Sequence, residues 1–114
     1  FATERLEPRE AAWFWATLDV VPRNADRRWF ETAIGAAGLE IVEDIELGSE
    51  TGEWAEETEG KASRELRAAA RLLRDPQRYA DRFGPAAIDI KLADALWHVF
   101  RMIGKLSNRI YVLR

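Results

Sequence analysis

The spacing of apolar residues changes period along this chain, from helical to alternating, back to helical, and to alternating again. Glu10 to Leu18 reads as a short helix, with Pro8 suited to its first turn. Trp13, Phe14 and Trp15 are adjacent there, and neighbours on a helix diverge by about 100°, so at least one ring must meet something other than this helix's own core partners. Val21-Pro22 ends the segment. Asn24 or Asp26 caps a second helix, from about Arg27 to Ala37, in which Trp29, Phe30, Ala33, Ile34 and Ala37 follow the 3.6-residue period and Gly38 is the stop.

From Leu39 to Leu47 the period drops to two. Leu39, Ile41, Ile45 and Leu47 point one way, and Glu40, Asp44 and Glu46 the other. Val42 and Glu43 break the alternation, which predicts a twist or bulge. After a loop at 48–52, Glu53 to Asp75 reads as helical, with Gly60 as its weak point. Ala62, Leu66, Ala69, Ala70, Leu72 and Leu73 form one face of it, and Lys61, Arg64, Arg67, Arg71 and Arg74 the other. Pro76 opens a short helix through Tyr79 and Phe83. Ala86 to Lys105 is the longest helix, with a buried stripe of Ile88, Leu92, Leu96, Val99 and Ile103, widened by Ala93 and Phe100. Arg109 to Arg114 closes the chain as a second strand. The expected class is α+β, all one domain: helices plus an antiparallel strand pair. Residues 1–38 are helices packing on the sheet, 39–48 and 107–114 are the pair, and 49–106 are a helical insertion between its strands. Two strands alone are marginal as a sheet, so the pattern asks for a missing half or an oligomeric partner.

Composition narrows the function classes. Of 114 residues 47% are hydrophobic, which excludes a disordered chain. The absence of cysteine removes disulfides, thiolate metal sites and cysteine nucleophiles, and one histidine makes a multi-histidine metal site or a Ser-His-Asp triad improbable. No apolar run approaches the length of a membrane span. Residues 1–10 carry five charges, unlike a signal peptide, so a cytoplasmic location is expected. The first residue is Phe1 and not methionine, which reads as a processed chain or a piece of a longer one.

Charge is segregated. Residues 29–60 hold ten acidic and no basic side chains, and residues 61–114 hold twelve basic and five acidic ones. The Arg64–Arg74 stripe lacks interleaved aromatics and the net charge is −3, so nucleic acid is disfavoured as a partner. Pairing of the stripe with the acidic 40–59 segment, within the chain or across a dimer, is the expectation. Two groups of residues have the spacing of chemistry. Asp94 and His98 are one helical turn apart beside Trp97, where a carboxylate raises a histidine's pKa and orients a general base; an exposed ion pair on a solvated face has the same spacing. Trp54 and Glu57 follow the flexible 48–52 loop, where lid residues hold a cationic or aromatic acceptor; an acidic first turn complementing the helix dipole is the other reading. Trp13, Trp15, Tyr79 and Trp97 complete the candidate substrate-binding set, with core or interface the alternative role for the aromatic cluster.

The run Arg28-Trp29-Phe30-Glu31-Thr32-Ala33-Ile34-Gly35-Ala36-Ala37-Gly38-Leu39-Glu40-Ile41-Val42, with Ile110-Tyr111-Val112-Leu113 at the end, resembles the C-terminal half of class I S-adenosylmethionine-dependent methyltransferases of the small-molecule type. In that family such a helix leads into the penultimate strand of an α/β Rossmann-like sheet, and the last strand returns antiparallel beside it. Helices inserted between the two cover the acceptor pocket, as residues 49–106 would here. The resemblance implies a lid half that binds a small-molecule acceptor, with His98 and Asp94 as its catalytic candidates. It also implies a missing N-terminal half, while the open strand edges and the adjacent aromatics by themselves ask for that half or a homodimer. The family's Gly-x-Gly turn has no counterpart among Gly35, Gly38, Gly48, Gly52, Gly60, Gly84 and Gly104, so S-adenosylmethionine is expected for the whole protein and not for this chain alone. The alternative is a non-enzymatic helical binding or dimerisation module.

Overall fold

The computed structural model describes all 114 residues, as six helices and one two-stranded antiparallel sheet. Helix α1 (Pro8–Thr17) leads through a 3-10 turn at Pro22–Ala25 into α2 (Arg27–Ala36), followed by strand β1 (Ile41–Gly48). Helices α3 (Glu50–Glu59), α4 (Lys61–Arg74), α5 (Pro76–Phe83) and α6 (Ala86–Met102) fill the interval before strand β2 (Asn108–Leu113). The expected α+β class and the antiparallel pairing are both present. Ile45 faces Ile110 and Glu46 faces Arg109, with register shifts between Ile41 and Glu43 and between Glu46 and Gly48. The first shift falls at Val42, where the alternation breaks.

Asp26 caps α2, its carboxylate accepting from the backbone N–H groups of Arg28 and Trp29 at 2.8 and 3.2 Å. The stretch read as one helix from Glu53 to Asp75 is two. Gly60 adopts φ +59°, which serves as the end of α3 and the start of α4. The Glu56 carboxylate reaches across this corner and accepts from the Ser63 N–H at 3.0 Å. Helix α6 stops at Met102 and not at Lys105, because Gly104 turns left-handed and the Lys105 and Leu106 N–H groups fold back on the Phe100 carbonyl. Ile103 thus leaves the expected buried stripe and is exposed.

The core sits between α1 and α6. Phe14 is fully buried, with ring centroids 4.8 Å from Trp15, 5.1 Å from Phe100 and 5.7 Å from Trp97, and Ala93 lets the two helices approach. Of the three adjacent aromatics, Phe14 and Trp15 turn inward and Trp13 stays partly exposed. Helix α2 lies on the sheet instead. The Tyr111 hydroxyl donates to Glu31 at 3.0 Å, Arg27 pairs with Glu31 and Asp44, and Arg109 pairs with Asp44 and Glu46.

Helix α3 is held close to α6 at Gly52. A Cβ there would lie 3.2 Å from the Met102 backbone nitrogen and 3.3 Å from Arg101 Cβ, and backbone atoms on a packed helix have little room to give. Gly52→Ala is expected to cost about 1–2 kcal/mol through this overpacking, read as a lower urea midpoint with unchanged slope.

Much apolar surface is left over. Helix α4 carries two apolar stripes: Ala62, Ala69 and Leu72 are buried, while Leu66, Ala70 and Leu73 face outward. On the sheet, Tyr111 faces α2, whereas Ile110 and Val112 on the other face of β2 are exposed, as is Ile45 beside them. Only 14 residues are buried, and the accessible surface of 7804 Å² exceeds the roughly 6,400 Å² typical of a compact monomer of this mass. The radius of gyration agrees, at 16.4 Å against about 13 Å for a compact domain of this length.

Candidate functional site

Two aromatic clusters face each other across a cavity of about 250 Å³. The first comprises Phe14, Trp15, Trp97 and Phe100, and contributes Trp15 and Trp97 to the wall, their centroids 6.2 Å apart. The second is Phe1, Phe30 and Tyr111, with Phe30 5.2 Å from Phe1 and 5.6 Å from Tyr111, and contributes Phe1 and Phe30. Asn108, at the start of β2, and Asn24 add polar groups. The cavity therefore lies at the end of the sheet where β1 leaves and β2 enters.

Arg101 is the one charged side chain in this wall. Its Nη2 donates to the Thr51 hydroxyl at 3.1 Å, and its Nε is buried without an acceptor. The same Thr51 oxygen accepts from the Asn108 amide. No carboxylate pairs with Arg101, in contrast to Arg27, Lys91, Lys105, Arg109 and Arg114. Trp97 and Arg101 are four residues apart on α6, one helical turn, which brings ring and guanidinium to one site.

The residues singled out in the sequence fall in several places. Trp15 and Trp97 line the aromatic cavity. His98 and Asp94 line a separate shallow groove with Leu18 and Val20, and Trp97 is the one side chain common to both. Tyr79 stacks on Phe83 at 4.7 Å in a third cleft, between α4 and α5, whose rim carries Arg71, Arg78 and Arg82. Trp13 is partly exposed, and Trp54 and Glu57 are exposed on α3, away from all three. Arg101, Phe30 and Asn108 are cavity residues that the sequence reading did not single out as ligand-binding.

Asp94 turns to Lys91 at 3.0 Å and makes no hydrogen bond to His98. The expected rise in the histidine pKa is not what results. Burial first, then the nearby Lys61, holds His98 below its usual value near 6.5, and the opposing pull of Glu65 and Asp94 is smaller. The folded chain thus resists protonation that the unfolded chain accepts at that pH. His98 therefore withdraws stability as pH falls from about 6.5 towards its lower folded value, and has no effect above that window. Across it, wild-type urea midpoints are expected to fall more steeply than those of His98→Asn, with the two curves parallel above neutral pH.

The expected pairing of the Arg64–Arg74 stripe with the acidic 40–59 segment is absent within the chain. Asp44 and Glu46 are taken by Arg27 and Arg109, and Glu40 by Arg114. Arg64, Arg67, Arg71 and Arg74 form no ion pair, and α4 packs on α3, α5 and α6 and not on the sheet. No group of three or more acidic or histidine side chains is placed to hold a metal ion. The positive-φ glycines 38, 48, 60, 84 and 104 close helices or shape turns, so none is assigned to a cofactor cradle. No family model, curated protein or solved structure matches the chain.

Proposed function

We propose that this chain is the acceptor-binding half of a small-molecule methyltransferase that uses S-adenosylmethionine, with the cavity between Trp15, Trp97 and Phe30 as the acceptor site. The observation that carries the reading is the sheet. A helical insertion runs between two antiparallel neighbours, the outer edge of β2 pairs with no strand, and the Ile110–Val112 face is bare. A strand reading Ile-Tyr-Val-Leu, apolar on both faces, suits an inner position with helices on either side. The surplus surface is of the order that a further half of a domain, or a partner, covers.

The cofactor supplies an electrophilic methyl group when bound, and on this reading its cradle lies upstream of Phe1. This chain's own part is to enclose the acceptor among aromatic walls, exclude water and fix its orientation. The test is calorimetry with S-adenosylmethionine on the 114 residues alone and on the protein extended upstream. Micromolar binding by the extended protein only is expected. Micromolar binding by the 114 residues, or an upstream sequence without a Gly-x-Gly turn after a strand, would overturn the reading.

A second reading, a helical self-association module, draws on a different observation. The unpaired arginines of α4 and the open Leu66, Ala70 and Leu73 stripe lie on one helix, and the carboxylates of Glu50, Glu57 and Glu59 on α3 form no ion pair. A homodimer placing α3 of one copy on α4 of the other would be salt-sensitive. Light scattering at low and high salt tests it, and a monomer at both removes it.

A further inference from the structure

We propose that the aromatic cavity binds a planar aromatic carboxylate of one or two rings, with the ring against Trp15, Trp97 and Phe30 and the carboxylate on Arg101. This names the ligand class of the site above and rests on that site being the ligand site; it does not depend on methyl transfer.

Three observations converge. Size is the first: a cavity of ~150 Å³ admits benzene, so about 250 Å³ has room for one ring or two fused rings. Wall chemistry is the second. Trp15, Trp97, Phe1 and Phe30 present ring faces and edges, which select flat, polarisable ligands over branched aliphatic ones. The third is the unmet need of Arg101. A guanidinium held among aromatic rings, served by one neutral hydroxyl and with Nε orphaned, lacks the counter-charge that partly buried cations ordinarily have. Thr51 cannot give more, because its oxygen already accepts two donors. A carboxylate supplies the missing charge in a small planar group beside the ring; an aryl phosphate is bulkier for a site of about 250 Å³.

Arg101 is also pre-positioned. Gly52 brings α3 to within van der Waals contact of its Cβ, and the neighbouring Thr51 anchors its head group. Placement of the one charged side chain in a mostly aromatic wall favours a fixed ligand orientation over loose attraction.

The experiment titrates the full-length protein, without S-adenosylmethionine, with 2-naphthoate, its neutral analogue 2-naphthamide, and naphthyl phosphate. Binding is read by calorimetry. Naphthoate is expected to bind about tenfold or more tightly than the amide, since a charge-assisted hydrogen bond is lost, and more tightly than the phosphate. Arg101→Gln is expected to bring acid and amide to equal affinity, and Arg101→Lys to retain part of the difference. Circular dichroism and the urea midpoint establish that each variant is folded, and amide binding by Arg101→Gln shows its cavity intact. Equal binding of acid and amide by the wild type, preference for the phosphate, or binding by neither would overturn the proposal. Naphthoate binding by a protein that does not bind S-adenosylmethionine would leave this proposal standing and remove the methyltransferase reading.

Discussion

Replacing Phe14 with alanine is expected to cost about 4 kcal/mol and to leave the chain largely unfolded at room temperature. Phe14 is the largest side chain that is wholly enclosed, and its ring touches Trp15, Trp97 and Phe100 at once. Alanine removes the transfer free energy of the ring and leaves a hole that three rigid aromatics cannot collapse to fill. The core holds few alternatives, because its other buried members are Leu6, Trp15, Ala25, Ala93, Phe100 and Leu106. Phe14→Leu, which keeps most of the volume, is expected to lose less than half as much. Urea unfolding followed by near-ultraviolet dichroism checks both variants. A loss under about 1 kcal/mol for Phe14→Ala would place the core elsewhere than between α1 and α6.

The second large effect is expected at Arg109. Its side chain is 8% exposed, and its two terminal nitrogens reach Asp44 at 2.5 and 2.6 Å and Glu46 at 2.7 Å. Asp44 in turn holds Arg27 of α2, so one guanidinium ties β2 to β1 and, through Asp44, to the helix above the sheet. Arg109→Ala leaves two carboxylates close together with their shared cation gone. A loss of about 2–3 kcal/mol is expected, between the cost of breaking a buried pair and that of a surface one. Glu46→Ala is expected to lose under about 1 kcal/mol, because Glu46 is 59% exposed and its charge is already solvated. Denaturation at low and high salt separates the two: the Arg109 effect persists in salt and the Glu46 effect fades. Equal, small losses for both would mean the fork adds nothing beyond the backbone ladder.

The strands were legible because their chemistry is local. A period of two with acids on one side marks β1, and the break at Val42 marks the shift in register, since a bulge displaces one residue from the alternation wherever the sheet lies. The cap at Asp26 and the end at Gly38 were legible for the same reason. The corner at Gly60 was half legible: a glycine weakens a helix anywhere, but whether it splits one depends on where α6 lies for α3 and α4 to pack on.

The cavity was half legible as well. Trp15 and Trp97 stood out as large aromatics near helix faces. Arg101 was recoverable from its one-turn spacing to Trp97, had the spacing been weighed for charge and ring together. Phe30 and Asn108 carry no such signal, because nothing local says that residues 78 apart in sequence will meet. The pairing of Asp94 with Lys91 and not with His98 was likewise undetermined, since both partners sit within a turn and the choice follows from Glu65 of α4 reaching the same lysine.

By itself, then, the sequence determined the elements, most of their caps and the segregation of charge, all of which depend on neighbours within a few residues, whereas the pairing of β1 with β2 joins residues as far apart as Ile45 and Ile110. Which apolar stripe of α4 is buried, which acids the arginines meet, and where the two aromatic clusters leave a gap were decided only by the tertiary structure. These depend on how six helices and two strands share a small core, in which burying one face of an element leaves another face open.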